Sequence, residues 1–188
     1  MNLTELYSMR AKRVNITREM CMKSRSFISI LLAGVCVMLF NQAQAVQVGQ
    51  KAPNFTLKDE TGKLRSLSDM AGHKMVIYFY PKDDTPGCTK QACSIRDGFA
   101  DLNQAGITVW GISYDSPESH KKFKEKYTLP FTLLSDYHKE VSKQYGVSGW
   151  FFPDRVTFLI NQDGTIIDIL KDINVREHAQ QIITAFNK

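Results

Sequence analysis

Residues 80–96 read YPKDDTPGCTKQACSIR and hold two thiols, Cys88 and Cys93, five positions apart. A thiol serves as nucleophile or redox centre once it is ionised, and its surroundings decide how readily that happens. Thr85 is an N-cap residue type, and Pro86 suits the first position of a helix, where no N–H partner is needed. Cys88 is thereby expected in the first turn of a helix, where unpaired N–H groups and the helix dipole favour a thiolate. Before the turn cluster stands 75–80, MVIYFY, short, β-branched and aromatic, as a buried strand should be. Strand, tight turn, thiol at a helix start is an arrangement for a reactive cysteine.

Other elements must hold that arrangement in place. Residues 54–57 and 64–67 flank the turn-forming 59–62, a hairpin signal. A helix is expected from about Pro86 to Ala105, with Ile95, Phe99 and Leu102 on one face. Residues 107–113 read as a buried strand, 115–127 as a helix opened by Ser116 and Pro117, 131–134 as a strand, and 139–145 as a short helix. The strands 155–160 and 165–170 are joined by the NQDG turn at 161–164, and 175–186 closes the chain as an amphipathic helix. This alternation predicts an α/β fold: a mixed central sheet with helices on both faces and an N-terminal β-hairpin.

The spacing of Pro81, Thr85 and Cys88 resembles the active-site signature of the peroxiredoxins, in the AhpC/TSA superfamily. A second cysteine five residues on is similar to the bacterioferritin-comigratory (peroxiredoxin Q) subgroup. The likeness runs from about Val48 to the C-terminus. It implies a thioredoxin-like fold and a thiol peroxidase acting on hydrogen peroxide and organic hydroperoxides without metal, haem or flavin. Cys88 would be the peroxidatic residue and Cys93 the resolving one, with a thioredoxin-like donor restoring the thiols. The resemblance assigns Arg155 the guanidinium that steadies the thiolate and the peroxide oxygens, Thr85 a hydroxyl facing the reacting atoms, and Pro81 a shield against bulk water. Gln91 would support the arginine. Without the resemblance, Arg155 has a second reading as a strand cap or a surface partner of Asp154, and Cys93 as an ordinary packed residue.

Helix geometry adds one expectation. Residues five apart are offset by about 7.5 Å along the axis and about 140° around it, so their Cα atoms stand roughly 8–9 Å apart. A disulfide needs Cα atoms within about 7 Å. A Cys88–Cys93 bridge is therefore expected to unwind residues 89–94.

The first 45 residues read differently. A basic segment with six Lys and Arg against two Glu precedes an uncharged apolar run at 27–40 and small residues at Ala43 and Ala45. That is the pattern of a secretory signal peptide cleaved after Ala45, with translation starting at Met1 or at Met20 or Met22. The apolar run is short of the roughly 20 residues a spanning helix needs, which puts an uncleaved anchor second to a cleaved leader. The chain's formal charge of +5 then belongs mostly to the leader, and the 46–188 domain stands near +1. No basic face for nucleic acid is expected. Cys21 and Cys36 leave with the leader, and an exported, periplasmic monomer is expected.

Other polar groups read as structural. His73, His120, His138 and His178 show no ligand spacing with the cysteines and read as solvated surface residues. The aromatic run Trp150, Phe151 and Phe152 lies in a loop before Arg155 and reads first as core packing, with an active-site wall or a contact surface as the alternatives. Two other functions fit the fold class. An exported thiol–disulfide oxidoreductase would carry C-x-x-C rather than this spacing, and a copper-binding assembly factor would need closer cysteines and a distant ligand such as His138.

Overall fold

A computed structural model describes residues 46–188; the leader reading lies outside the described residues. Seven strands form one mixed sheet: β1 (Thr56–Asp59), β2 (Leu64–Ser66), β3 (Lys74–Phe79), β4 (Ile107–Ser113), β5 (Thr132–Ser135), β6 (Val156–Ile160) and β7 (Ile166–Leu170). Their order is β2-β1-β5-β4-β3-β6-β7. The centre β5-β4-β3 is parallel, as strand–helix–strand connections require, and the hairpins at both ends are antiparallel.

The expected strands and hairpins are all present, with helices on both faces. Strand β3 shows why one stretch of sequence seats two cores. Val76, Tyr78 and Tyr80 point to one side; Met75, Ile77 and Phe79 point to the other; all are buried. The first side packs against helices α1 (Pro86–Asp97), α2 (Phe99–Gln104), α3 (Pro117–Tyr127) and α5 (His178–Phe186) through Ile95, Leu102, Phe123 and Ile182. The second is covered by α4 (Glu140–Gln144), through Val141, and by a 3-10 turn at Leu67–Met70.

The single helix expected over Pro86–Ala105 is instead two, broken at Gly98. Gly98 sits at φ −92°, where any residue is at ease, so backbone freedom is not its role. A Cβ at this position would lie 2.5 Å from the Cβ of Ala179. Gly98 is bare because α5 crosses there.

The aromatic run also departs from expectation. Trp150, Phe151 and Phe152 are 86, 75 and 48% exposed rather than core. Val147 and Val156, on either side, already occupy the core positions. Between them the loop doubles back so tightly that a Cβ on Gly149 would meet the Phe152 carbonyl at 2.1 Å. Lys139 Nζ donates to the Trp150 carbonyl at 2.8 Å, and the three rings are left outside.

Candidate active site

The loop between β3 and α1 is pinned by its two aspartates. Asp83 is buried and accepts from Tyr80 OH at 2.7 Å and Ser119 Oγ at 2.8 Å, with His120 Nδ1 at 2.9 Å. Its own N–H donates to Asp115 Oδ2 at 2.9 Å. Burial, then the charge of Asp83, pushes the Tyr80 phenol well above its usual range, which keeps it the donor. Asp84 adopts φ 56°, a left-handed conformation tolerated by Asp. Lys126 and the Tyr127 hydroxyl hold its carboxylate in place and below the usual carboxylate range. Both anchors tie the loop to α3, so Pro86 begins α1 at a set point.

Thr85 is the N-cap residue by backbone, at φ −87° and ψ 152°, and its carbonyl accepts from Thr89 N at 2.8 Å. Its side chain makes no capping bond. The hydroxyl donates to the Lys82 carbonyl at 3.0 Å, which leaves its lone pairs free to accept. Pro81 is partly buried at the end of β3. Cys88 is the third residue of α1, only 2% exposed, where the first-turn N–H groups lack helical partners.

Arg155 arrives from the strand next to β3. Phe79 is paired with Val156 in the β3–β6 register, so the residue before Val156 lies beside the end of β3, where the loop to Cys88 departs. Its Nη2 donates to Cys88 Sγ at 3.3 Å and its Nη1 donates to Gln91 Oε1. The guanidinium thus turns inward, not toward neighbouring Asp154. Gly87 lies against it: a Cβ there would be 3.5 Å from Nη2. Gln91, one turn after Cys88 and fully buried, has Nε2 3.0 Å from His178 Nδ1, and His178 Nε2 is 3.0 Å from Thr157 Oγ1.

His178 and His120 correct the surface reading, for both are fully buried, whereas His73 and His138 are exposed. Burial, with the nearby Arg155 charge adding to it, pushes the His178 imidazole down to about 3. A signal for it was available: His178, Ile182 and Ala185 fall on one stripe of α5, so the histidine occupies a core position in the helical period. No sequence spacing links it to Gln91, 87 residues earlier.

Cys88 and Cys93 are both free thiols within the unbroken α1, Cys93 partly buried. Among the described residues no three His, Cys, Asp or Glu side chains are grouped so as to hold a metal. The arrangement can stabilise negative charge on Sγ, through first-turn amides and one guanidinium, and present donors to an oxygen approaching the sulfur.

Comparison with known proteins gives a consistent set of likenesses. Residues 48–169 match the AhpC/TSA family model. The chain is 46% identical to a putative peroxiredoxin bcp of Coxiella burnetii over 147 residues, covering 74% of this chain and 97% of that protein. It is 50% identical over 124 residues to chloroplastic peroxiredoxin Q of Oryza sativa subsp. japonica, covering 64% of this chain and 57% of that one. Among solved structures, peroxidoxin BcpB of Mycobacterium tuberculosis superposes with a TM-score of 0.71 at 32% identity, covering 76% of this chain and 97% of that chain.

Proposed function

Because this chain belongs to the AhpC/TSA family, in its bacterioferritin-comigratory (peroxiredoxin Q) branch of thiol peroxidases with a thioredoxin-like fold, we propose that Cys88 is its peroxidatic residue, Cys93 its resolving residue, and hydrogen peroxide and organic hydroperoxides its substrates. The observation that carries this reading is the 3.3 Å contact from Arg155 Nη2 to Cys88 Sγ in the first turn of α1. The guanidinium is a permanent donor, and beside the helix N-terminus it favours charge on the sulfur.

The Cys88 thiolate attacks the terminal oxygen of ROOH, an S–O bond forms, the O–O bond breaks, and RO⁻ leaves to take a proton from water. Sulfur loses two electrons and the peroxide gains them. Arg155 donates to the oxygens as charge moves onto the leaving one, and the free lone pairs of Thr85 Oγ1 accept the peroxide hydrogen. Pro81 covers the sulfur from bulk water. The resulting sulfenic acid condenses with the Cys93 thiol, releasing water and forming a disulfide. A thioredoxin-like dithiol then supplies two electrons and returns both thiols.

The second half needs motion. Both cysteines lie in one continuous helix, and five-residue helical spacing separates Cα atoms by roughly 8–9 Å. Bridging needs about 7 Å or less. Residues 89–94 therefore unwind with each turnover and rewind on reduction. Export to the periplasm, cleavage after Ala45 and a monomeric state belong to the same proposal; the basic, apolar and small-residue pattern of 1–45 supports the first two.

The test follows peroxide loss by the 46–188 protein with dithiothreitol as reductant. Cys88→Ser is expected to abolish turnover. Cys93→Ser, reacted without reductant, is expected to consume one equivalent of peroxide and hold a sulfenic acid, trapped by dimedone and read by mass spectrometry, where the wild type holds a disulfide. Equal residual steady-state rates in the two variants would reverse or dissolve the assigned roles.

A further inference from the structure

We propose that His178, on the C-terminal helix, is a positioning residue for the peroxide-reacting arginine: it holds Gln91 in the one amide orientation that presents an acceptor to Arg155. The inference rests on the reading of Arg155 and Cys88 given above.

Donors and acceptors decide which way the Gln91 amide faces. Arg155 has five N–H donors and no acceptor, so the Gln91 atom facing Nη1 must be the carbonyl oxygen. The amide NH₂ then points the other way, to His178 Nδ1 at 3.0 Å. An NH₂ group only donates, so Nδ1 must be bare and the ring proton must sit on Nε2. Nε2–H in turn donates to Thr157 Oγ1 at 3.0 Å. Polarity is thus set along the whole line, from Thr157 through His178 and Gln91 to Arg155 and the sulfur. Every side chain behind the arginine is fully buried, so no solvent replaces a missing partner. An imidazolium would bring a second N–H to face the amide NH₂. The burial that pushes this imidazole down to about 3 keeps it neutral at working pH.

The orientation of the ring is held independently of Gln91. His178 packs edge-on to Tyr78, with centroids 5.9 Å apart and planes at 82°. Ala179, its neighbour, sits against Gly98. Thr157 is two residues after Arg155 and so projects from the same face of β6. The C-terminal helix therefore carries a rigid acceptor to a point behind the active-site helix. It also gives the unwinding of α1 a structural consequence. When Gln91 leaves, His178 Nδ1 is a buried acceptor without a partner, which favours the rewound helix once the disulfide is reduced.

Two measurements test this. Ring ¹⁵N NMR of the reduced wild-type 46–188 protein at pH 7 is expected to find His178 as the neutral Nε2–H tautomer; an Nδ1–H tautomer or an imidazolium would overturn the proposal. That readout needs no activity, so it stands or falls apart from the assignment of Cys88. Stopped-flow rates of peroxide reaction then separate positioning from packing. His178→Asn keeps an acceptor where Nδ1 stood; His178→Gln, closer to histidine in volume, puts its polar group where Nε2 stood. Asn is expected to remain within about threefold of wild type and Gln to fall about tenfold, the range typical of lost support for a site residue. The reverse order would mean that the histidine only fills space. On a Gln91→Ala background the two variants are expected to be equal; a persisting difference would also refute the chain of contacts.

Discussion

Stability at acid pH offers the most direct physical check on the buried line behind Arg155. In the folded protein the His178 imidazole is pushed down to about 3, mainly by burial. In the unfolded chain it titrates near its ordinary value of about 6.5. Between those two values the unfolded state binds a proton that the folded state refuses, so stability falls as pH drops below about 6.5 and stops falling near 3. Each pH unit in that window costs about 1.4 kcal/mol, so the contribution at pH 5 is a loss of about 2 kcal/mol relative to pH 8. The perturbation is His178→Asn, which cannot titrate. Urea unfolding of both proteins, kept reduced, at pH 8 and pH 5 gives four free energies. The pH-induced loss is expected to be about 2 kcal/mol larger in the wild type, an extra midpoint drop of about 1 M for a urea slope near 2 kcal/mol/M. Other groups titrating in this range, such as buried Asp136, are common to both proteins and cancel. Equal losses in the two would refute the claim that His178 is held neutral in the fold.

Three further outcomes follow from particular contacts. Gly98→Ala drives a methyl to within 2.5 Å of Ala179 Cβ and is expected to cost about 1–3 kcal/mol in thermal or urea unfolding, part of it recovered by adding Ala179→Gly. Arg155→Ala is expected to slow the reaction of the reduced enzyme with peroxide by at least about a hundredfold, and Arg155→Lys to recover little, because an ammonium cannot bond Gln91 and the sulfur in the same fork; a fully active lysine variant would count against the geometry. Replacing Trp150 and Phe151 with serine is expected to change unfolding free energy by no more than about 0.5 kcal/mol each, as suits side chains that are 86 and 75% exposed, whereas core aromatics would cost several times more.

Local rules made much of this protein legible. The apolar stretch 75–80, the Thr85-Pro86 start and the position of Cys88 in the first helical turn all depend on neighbours within a few residues, and the structure has them where pattern and propensity put them. The mixed sheet with its terminal hairpin followed from alternating periods and turn residues. The readings that failed were those in which a distant segment decides. The long helix is interrupted at Gly98, where Ala179 of α5 leaves no room for a side chain. The aromatic run at 150–152 is outside because Val147 and Val156 had already taken the core positions beneath it.

The site divides along the same line. Cysteine spacing and the turn before it are properties of one continuous stretch, and they sufficed to single out Cys88, Thr85 and Cys93. That Arg155 turns to sulfur rather than to Asp154 required the β3–β6 register, which brings residues 67 apart in sequence within 3.3 Å. That Gln91 and His178 meet required α5 to pack behind α1, where exclusion of water turns two ordinary polar side chains into obligatory partners. Sequence alone determines what each short segment prefers; only the folded chain determines which buried donors and acceptors must satisfy one another, because that need arises when water is removed.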